Sequence, residues 1–223
     1  YTLMQRAGLA TAQLALAIAP HAQKIWIACG PGNNGGDGLE AAVYLHAWGK
    51  QPIVTWLGRS EHCPADAQQA WQRAKDAGVM FAEHPPEDFD LAIDALLGIG
   101  SQRAPEGLMA QWLQALQSTP HPVLCIDMPT GLHADTGAWS NTTTVQAANT
   151  QRHTLSLLTL KPGLFTAHGR DAAGQVWFND LGIHDSETLS ATAWLQQSKP
   201  TNTQHPHSSH KGSFGDVCIL GGA

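Results

Sequence analysis

The sequence predicts an α/β fold: a Rossmann-like, three-layer α/β/α arrangement around a mostly parallel central sheet. Three observations predict it. Short, continuous apolar runs recur along the chain, as in strands buried on both faces. They alternate with segments whose apolar residues repeat at helical spacing. A glycine-rich stretch, GPGNNGGDG at 30–38, directly follows the first such run.

The elements follow in order. Residues 3–18 carry Leu3, Ala7, Ala10, Leu14 and Ile18 on one helical face, and Pro20 stops the helix. KIWIAC (24–29) is a buried strand. After the glycines, 39–48 is a second helix, ended by Gly49. Residues 52–57 form a strand, 64–77 a helix closed by Gly78, and 79–82 a strand. DLAIDALL (90–97) is another buried strand. The helix at 105–117 has Pro105 at its start, where a missing N–H costs nothing. Residues 123–126 form a strand that runs into Asp127-Met128-Pro129-Thr130-Gly131. Strands at 153–160 and 175–178 complete the sheet.

Composition excludes several classes. At 223 residues, 43% hydrophobic and 13% charged, the chain can bury a full core and is not of the disordered type. The longest apolar stretch (9–20) includes Thr11 and Gln13 and is too short for a membrane span, so no membrane partner is expected. Net charge is −6 with no basic run, so no nucleic-acid partner is expected. Cys29, Cys63, Cys125 and Cys218 are widely spaced and form no CxxC pair. They read as reduced thiols of a cytoplasmic protein. The chain starts at Tyr1 rather than Met, so the native N-terminus is expected to lie upstream.

Three domain segments are expected. Residues 1–197 form the main domain. Residues 198–212 (SKPTNTQHPHSSHKG) are polar and proline-rich, a linker. Residues 213–223 begin a new strand and glycine turn, the cut start of a second domain.

Ligands of an open parallel sheet bind at the carboxyl ends of its strands. Three loops there stand out: 30–38, 98–104 and 127–137. The first fits G-x-G-x-x-G on Gly30, Gly32 and Gly35, and a helix start beyond it favours an anion. The rival reading is a tight turn that needs the positive φ of glycine. Pro31, Asn33 and Asn34 do not suit a dehydrogenase loop, and Gly36-Asp37 after Gly35 excludes a P-loop. Asp37, with Glu40 three residues on, reads as a helix cap, as a ligand contact, or as both.

Asn34, Asp94, Asp127 and Thr130 all fall at or near strand carboxyl ends, with no adjoining Lys or Arg for the two aspartates. Buried carboxylates need partners. A hard, oxygen-seeking cation would supply one; mutual hydrogen bonding of structural aspartates is the alternative. Lys161 ends an apolar strand and reads either as a solvated end residue or as a phosphate contact. Trp26 and Trp56 read as core, and His205, His207 and His210 as linker residues rather than metal ligands. Ser101 and Ser140 lack a nucleophile-elbow context.

Taken together, LMQRAG (3–8), CGPGNNGGDGLEAA (29–42), DLAIDALLGIG (90–100), CIDMPTGLHADTG (125–137), LTLKPGL (158–164) and DLGI (180–183) resemble the NAD(P)H-hydrate epimerase family, the N-terminal domain of the YjeF type. HKGSFGDVCILGGA (210–223) looks like the opening of a ribokinase-like NAD(P)H-hydrate dehydratase domain. The resemblance implies repair of damaged cofactor. NADH or NADPH hydrated at C6 of the nicotinamide ring exists as R and S forms; the dehydratase accepts only S, and the epimerase interconverts the two. It implies that Asn33, Asn34, Gly35, Gly36 and Asp37, with Gly98, Ile99, Gly100, Ser101, Gln102, Arg103 and Ala104, contact the dinucleotide. It implies that Asn34, Asp94 and Thr130 hold one potassium ion per subunit, and that Asp127 meets the nicotinamide-hydrate end. Thr130 stands where the family usually has Ser, which keeps the hydroxyl; His133 stands where an acid is common. The family also implies a homodimer, and a dehydratase domain in the same parent chain.

Inverting C6 breaks and remakes a bond there, which calls for a positioned acid–base group. Asp127 is the expected one. The rival expectations are a catalytically silent dinucleotide-binding or scaffold protein of the same fold, and an NAD(P)-dependent oxidoreductase.

Overall fold

The computed structural model of the chain describes residues 1–58, 63–100, 104–140, 151–183, 191, 193–195 and 207–208. Along it run α1 (Thr2–Ile18), β1 (Lys24–Cys29), α2 (Asn33–Ala47), β2 (Gln51–Trp56), α3 (Ala65–Asp76), β3 (Met80–Ala82) and β4 (Leu91–Ala95). Then come α4 (Gly107–Ser118), β5 (Val123–Ile126), β6 (Arg152–Leu157), a 3₁₀ turn (Pro162–Leu164), the short α5 (Gly169–Ala172) and β7 (Gln175–Asn179).

The seven strands pair in the order β3-β2-β1-β4-β5-β6-β7, and every pairing is parallel. The α/β expectation holds. The order reverses between β1 and β4, which places a crevice above the carboxyl ends of those strands.

The apolar runs divide residue by residue between the two faces. Ile25 and Ile27 of β1, Leu91 and Ile93 of β4, and Leu124 and Ile126 of β5 point into one core, shared with α1, α2 and α3. Trp26, Ala28, Ala92, Val123 and Cys125 point into the other, closed by Trp112 and Leu116 of α4. Each fully buried Ile or Leu contributes roughly 1.5–3 kcal/mol. Trp26 is fully buried, and its indole N–H donates to Thr55 Oγ1 at 2.9 Å. Trp56 stacks on Trp71 with centroids 5.4 Å apart.

Helix α2 departs from expectation. It begins at Asn33, inside the glycine stretch, rather than at Leu39. None of the five glycines between 30 and 38 has a positive φ, so tight-turn conformation is not their purpose. Close approach is. A β-carbon on Gly38 would stand 2.6 Å from Ala95 Cβ and 2.9 Å from Cys29 Sγ; one on Gly36 would stand 2.6 Å from Met4 Cε. The first turns of α2 are thus pressed onto β1, β4 and α1 at once. Asp37 is not the cap, since the N-cap position is Gly32 and no side chain caps the helix. Glu40 is fully buried and bonded instead by the Tyr1 hydroxyl and the Arg73 guanidinium, which ties α2 to α3.

Strand β6 stops at Leu157, because Leu158 takes a left-handed φ of 64°. Pro105 lies just ahead of α4, whose N-cap is Glu106. From the expected linker, His207 N–H (2.8 Å) and Ser208 Oγ (2.8 Å) donate to Asp171 of α5. His205, His210 and the segment 213–223 lie outside the described residues. Cys29, Cys63 and Cys125 are buried, and Cys29 and Cys125 are free thiols. Among the described residues no helix is long and apolar enough to cross a membrane.

Candidate active site

The crevice is built from the segments that follow β1, β4, β5 and β6. Helix α2 starts directly above the end of β1. Gly32 offers no capping side chain, so the first-turn N–H groups of Asn33, Asn34 and Gly35 have no intrahelical acceptor. A free helix N-terminus of this kind favours an anion such as a dinucleotide phosphate. Asn34 and Asp37 stand three residues apart and so share a helix face. Asn34 lies against the loop after β4: a β-carbon on Gly98 would be 3.3 Å from Asn34 Oδ1. Its Nδ2 is buried and has no hydrogen-bond partner among the described residues.

Asp94, in β4, is 1% exposed. Its Oδ1 accepts from Thr130 Oγ1 at 2.7 Å and from Leu96 N–H at 3.2 Å, and its Oδ2 accepts from Thr130 N–H at 3.0 Å. Thr130 Oγ1 in turn accepts from Leu97 N–H at 3.0 Å. Burial pushes the Asp94 carboxyl pKa up, while these bonds and the charge of Arg152 pull it back. The loops after β4 and β5 are thereby latched together. A carboxylate has about four lone-pair sites; Thr130 and Leu96 use three, and the Cys125 thiol also bonds Asp94.

Asp127 follows β5 in a γ-turn. Met128 N–H bonds Ile126 O at 2.7 Å across it, and φ is 65°. A second γ-turn stands alongside at the end of β6, where Thr159 N–H bonds Leu157 O at 2.7 Å across Leu158. Asp127 Oδ1 accepts from Leu157 N–H at 3.2 Å and from the Lys161 ammonium. Lys161 is 8% exposed, and its Nζ also donates to Leu157 O at 2.6 Å. Lys161 is therefore not a solvated end residue. It is the partner of Asp127, brought in from 34 positions along the chain. Sequence reasoning missed this pairing; the available signal was a lysine closing an apolar strand ahead of Pro162-Gly163.

Asp37 lies in the first turns of α2, three residues beyond Asn34. Burial, and then the negative charge of Asp127, raise its carboxyl pKa well above the usual range. Burial also pushes the nearby Cys29 thiol pKa well up, so it is not a nucleophile. Among the described residues no three His, Cys, Asp or Glu side chains gather as metal ligands.

The structure thus brings Asn34, Asp37, Asp94, Thr130 and Asp127 to one rim. Gly98, Ile99, Gly100 and Ala104 lie in the loop beside it, with Ile99 59% exposed. Pro105 at the loop's end sits near Gly131 of the next loop. Ser101, Gln102 and Arg103 lie outside the described residues. The profile described as "YjeF-related protein N-terminus" matches residues 1–163.

The chain belongs to this family.

Among its YjeF-family relatives is a protein of Limosilactobacillus fermentum named NAD(P)H-hydrate epimerase. It is 35% identical over 185 residues, covering 82% of this chain and 86% of the relative. The Bifunctional NAD(P)H-hydrate repair enzyme Nnr of Escherichia coli is 37% identical over 242 residues, covering 100% of this chain but 44% of its own length. The chain thus spans less than half of that bifunctional relative. The crystal structure of the yeast protein ynu0 superposes with a TM-score of 0.65 at 23% identity, over 79% of this chain and 76% of that one. At that identity the likeness establishes the fold.

Proposed function

We infer that this chain interconverts the R and S forms of NADH hydrate and NADPH hydrate. One observation carries the reading: residues from four separate motif blocks lie at the carboxyl ends of neighbouring strands about the β1/β4 reversal, where Asp94 bonds Thr130 and Asp127 pairs with Lys161. A relative of which the chain covers 86% is named NAD(P)H-hydrate epimerase.

Helix α2 holds the dinucleotide through its free N–H groups, and the loop at 98–104 flanks it. Asp127 meets the hydrated ring and moves the proton that lets the C6 bond break and re-form. Asp94, Thr130 and Asn34 hold one potassium ion. Their oxygens suit a hard cation. The unpartnered amide of Asn34 supports this, since turning it about χ2 brings Oδ1 to the buried position. The bound ion would supply positive charge that steadies the loops and offsets repulsion between the carboxylates and the substrate phosphates.

We assign residues 1–197 to the epimerase domain and 198–212 to a linker. Residues 213–223 are the start of a dehydratase domain in a bifunctional parent, as the repair-enzyme relatives suggest. The free, buried thiols of Cys29 and Cys125 agree with a reducing, cytoplasmic setting.

The test is chromatography of purified S hydrate incubated with the 223-residue chain. R hydrate should appear faster than in buffer alone. An unchanged rate would reject the epimerase reading and leave a binding or scaffold protein.

A further inference from the structure

Two residues of the expected linker, His207 and Ser208, lie against α5 and share one carboxylate. Asp171 Oδ1 accepts from His207 N–H at 2.8 Å, and His207 Nδ1 stands 3.3 Å from the same oxygen. Oδ2 accepts from Ser208 Oγ at 2.8 Å and from Ser208 N–H at 3.2 Å. Hydrogen bonds to a charged acceptor run about twice as strong as neutral ones. Burial pushes the Asp171 carboxyl pKa up, yet these bonds together bring it below the usual carboxylate range. The anchor itself is firm. Ala172 and Ala173, next to Asp171, are buried in the cluster that holds Met128 and Leu164. Ala173 O accepts from Thr154 Oγ1 of β6 at 2.7 Å, which ties the end of α5 to the sheet.

We propose that Asp171 is the docking point of the interdomain linker: its carboxylate holds the 207–208 dipeptide on α5 and so fixes where the second domain begins. The second domain rests on the reading of residues 213–223 given above, whereas the latch stands on the bonds alone. An ionised carboxylate only accepts, and the dipeptide offers it two successive main-chain N–H groups and a hydroxyl. The consequence is one of reach. From Ile183 to residue 213 the chain runs about 30 residues, which fully extended could span about 100 Å. From Ser208 to residue 213 it runs about 5 residues, a span of about 18 Å. A tether shortened in this way raises the effective concentration of what it carries. The connection between β6 and β7 bears Lys161 near its start and Asp171 near its end. The second domain is therefore held on the same stretch of chain that supplies the partner of Asp127.

The experiment follows amide hydrogen exchange by NMR in the 223-residue chain, in Asp171→Ala and in Ser208→Pro, together with tryptic cleavage after Lys211, close beyond the latch. In the parent the His207 and Ser208 amides should exchange roughly tenfold or more slowly than in Asp171→Ala, as loss of a hydrogen bond to a charged group implies. Cleavage at Lys211 should be faster in both variants than in the parent. Parental amides that exchange at the rate of an unstructured peptide overturn the proposal, as does slow exchange that survives in a folded Asp171→Ala. Ser208→Pro removes both Ser208 donors and lies outside the α/β core, so it decides the matter should Asp171→Ala not fold. In that variant the His207 amide should lose protection; an unchanged His207 amide with unchanged cleavage overturns the latch. Failure of the parent to convert S hydrate to R refutes the epimerase reading instead, and leaves these amides as they are.

Discussion

Asp127 and Leu158 are the centres of two adjoining γ-turns, with φ of 65° and 64°, joined by the bond from Leu157 N–H to Asp127 Oδ1. Left-handed backbone costs a non-glycine residue about 1–3 kcal/mol and persists only where its surroundings enforce it. Here both turns serve one purpose, which is to hold Asp127 and Lys161 against each other at the crevice.

The turn at Leu158 can be tested by stability. Leu158 is 41% exposed, so its side chain buries little. Leu158→Gly should leave the urea midpoint unchanged or raise it, since glycine adopts this φ freely. Leu158→Val should lower stability by about 1–3 kcal/mol, because a β-branched residue is an outlier there. The reverse order would show that the turn is unstrained.

Asp127→Asn keeps an oxygen that can accept from Leu157 N–H, so the variant should fold. It should lose roughly 10²–10⁴-fold in epimerisation rate if Asp127 moves the proton. Near-parental turnover with a parental circular-dichroism spectrum would remove Asp127 from the chemistry.

Potassium should raise the melting temperature of the parent chain above that in matched choline chloride. At a hundredfold excess over the dissociation constant the gain is about 2.7 kcal/mol. Asn34→Ala, which removes the unpartnered amide, should abolish most of the difference. Identical melting curves in both salts would sink the ion site.

Asp37 makes a prediction with a definite sign. Its folded pKa is raised, so between about 3.9, the ordinary aspartate value, and that higher folded value the native chain holds a proton the unfolded chain has lost. Stability therefore falls as pH rises through this window. Asp37→Asn removes that dependence, so its melting temperature relative to the parent should climb from pH 4 toward pH 8. A constant difference across that range would mean that Asp37 titrates normally.

Much of the fold was legible in the sequence, because buried parallel strands announce themselves. KIWIAC and the apolar core of DLAIDALL are β1 and β4, and VLCI is β5 without adjustment. The start of α2 was hidden, since glycine disfavours helix and three glycines fall within its first six residues. Only the need of Gly36 and Gly38 to touch their neighbours makes a helix the better state. In the site, residue types were legible and pairings were not. Asp94 meets Thr130 across 36 positions and Asp127 meets Lys161 across 34. Local spacing carries no trace of such contacts, so a cation was the natural partner to expect for both aspartates. For Asp127 the partner is a lysine.

The tight seat of α2 also bears on attempts to make this protein hardier. Swapping helical glycines for alanine is a common route to thermostability, worth up to about 1 kcal/mol each from propensity alone. At Gly38 the added methyl would collide with Ala95 and Cys29 and lever the helix away from the sheet. Heat tolerance sought at that position would come at the expense of the place of Asp37 at the rim.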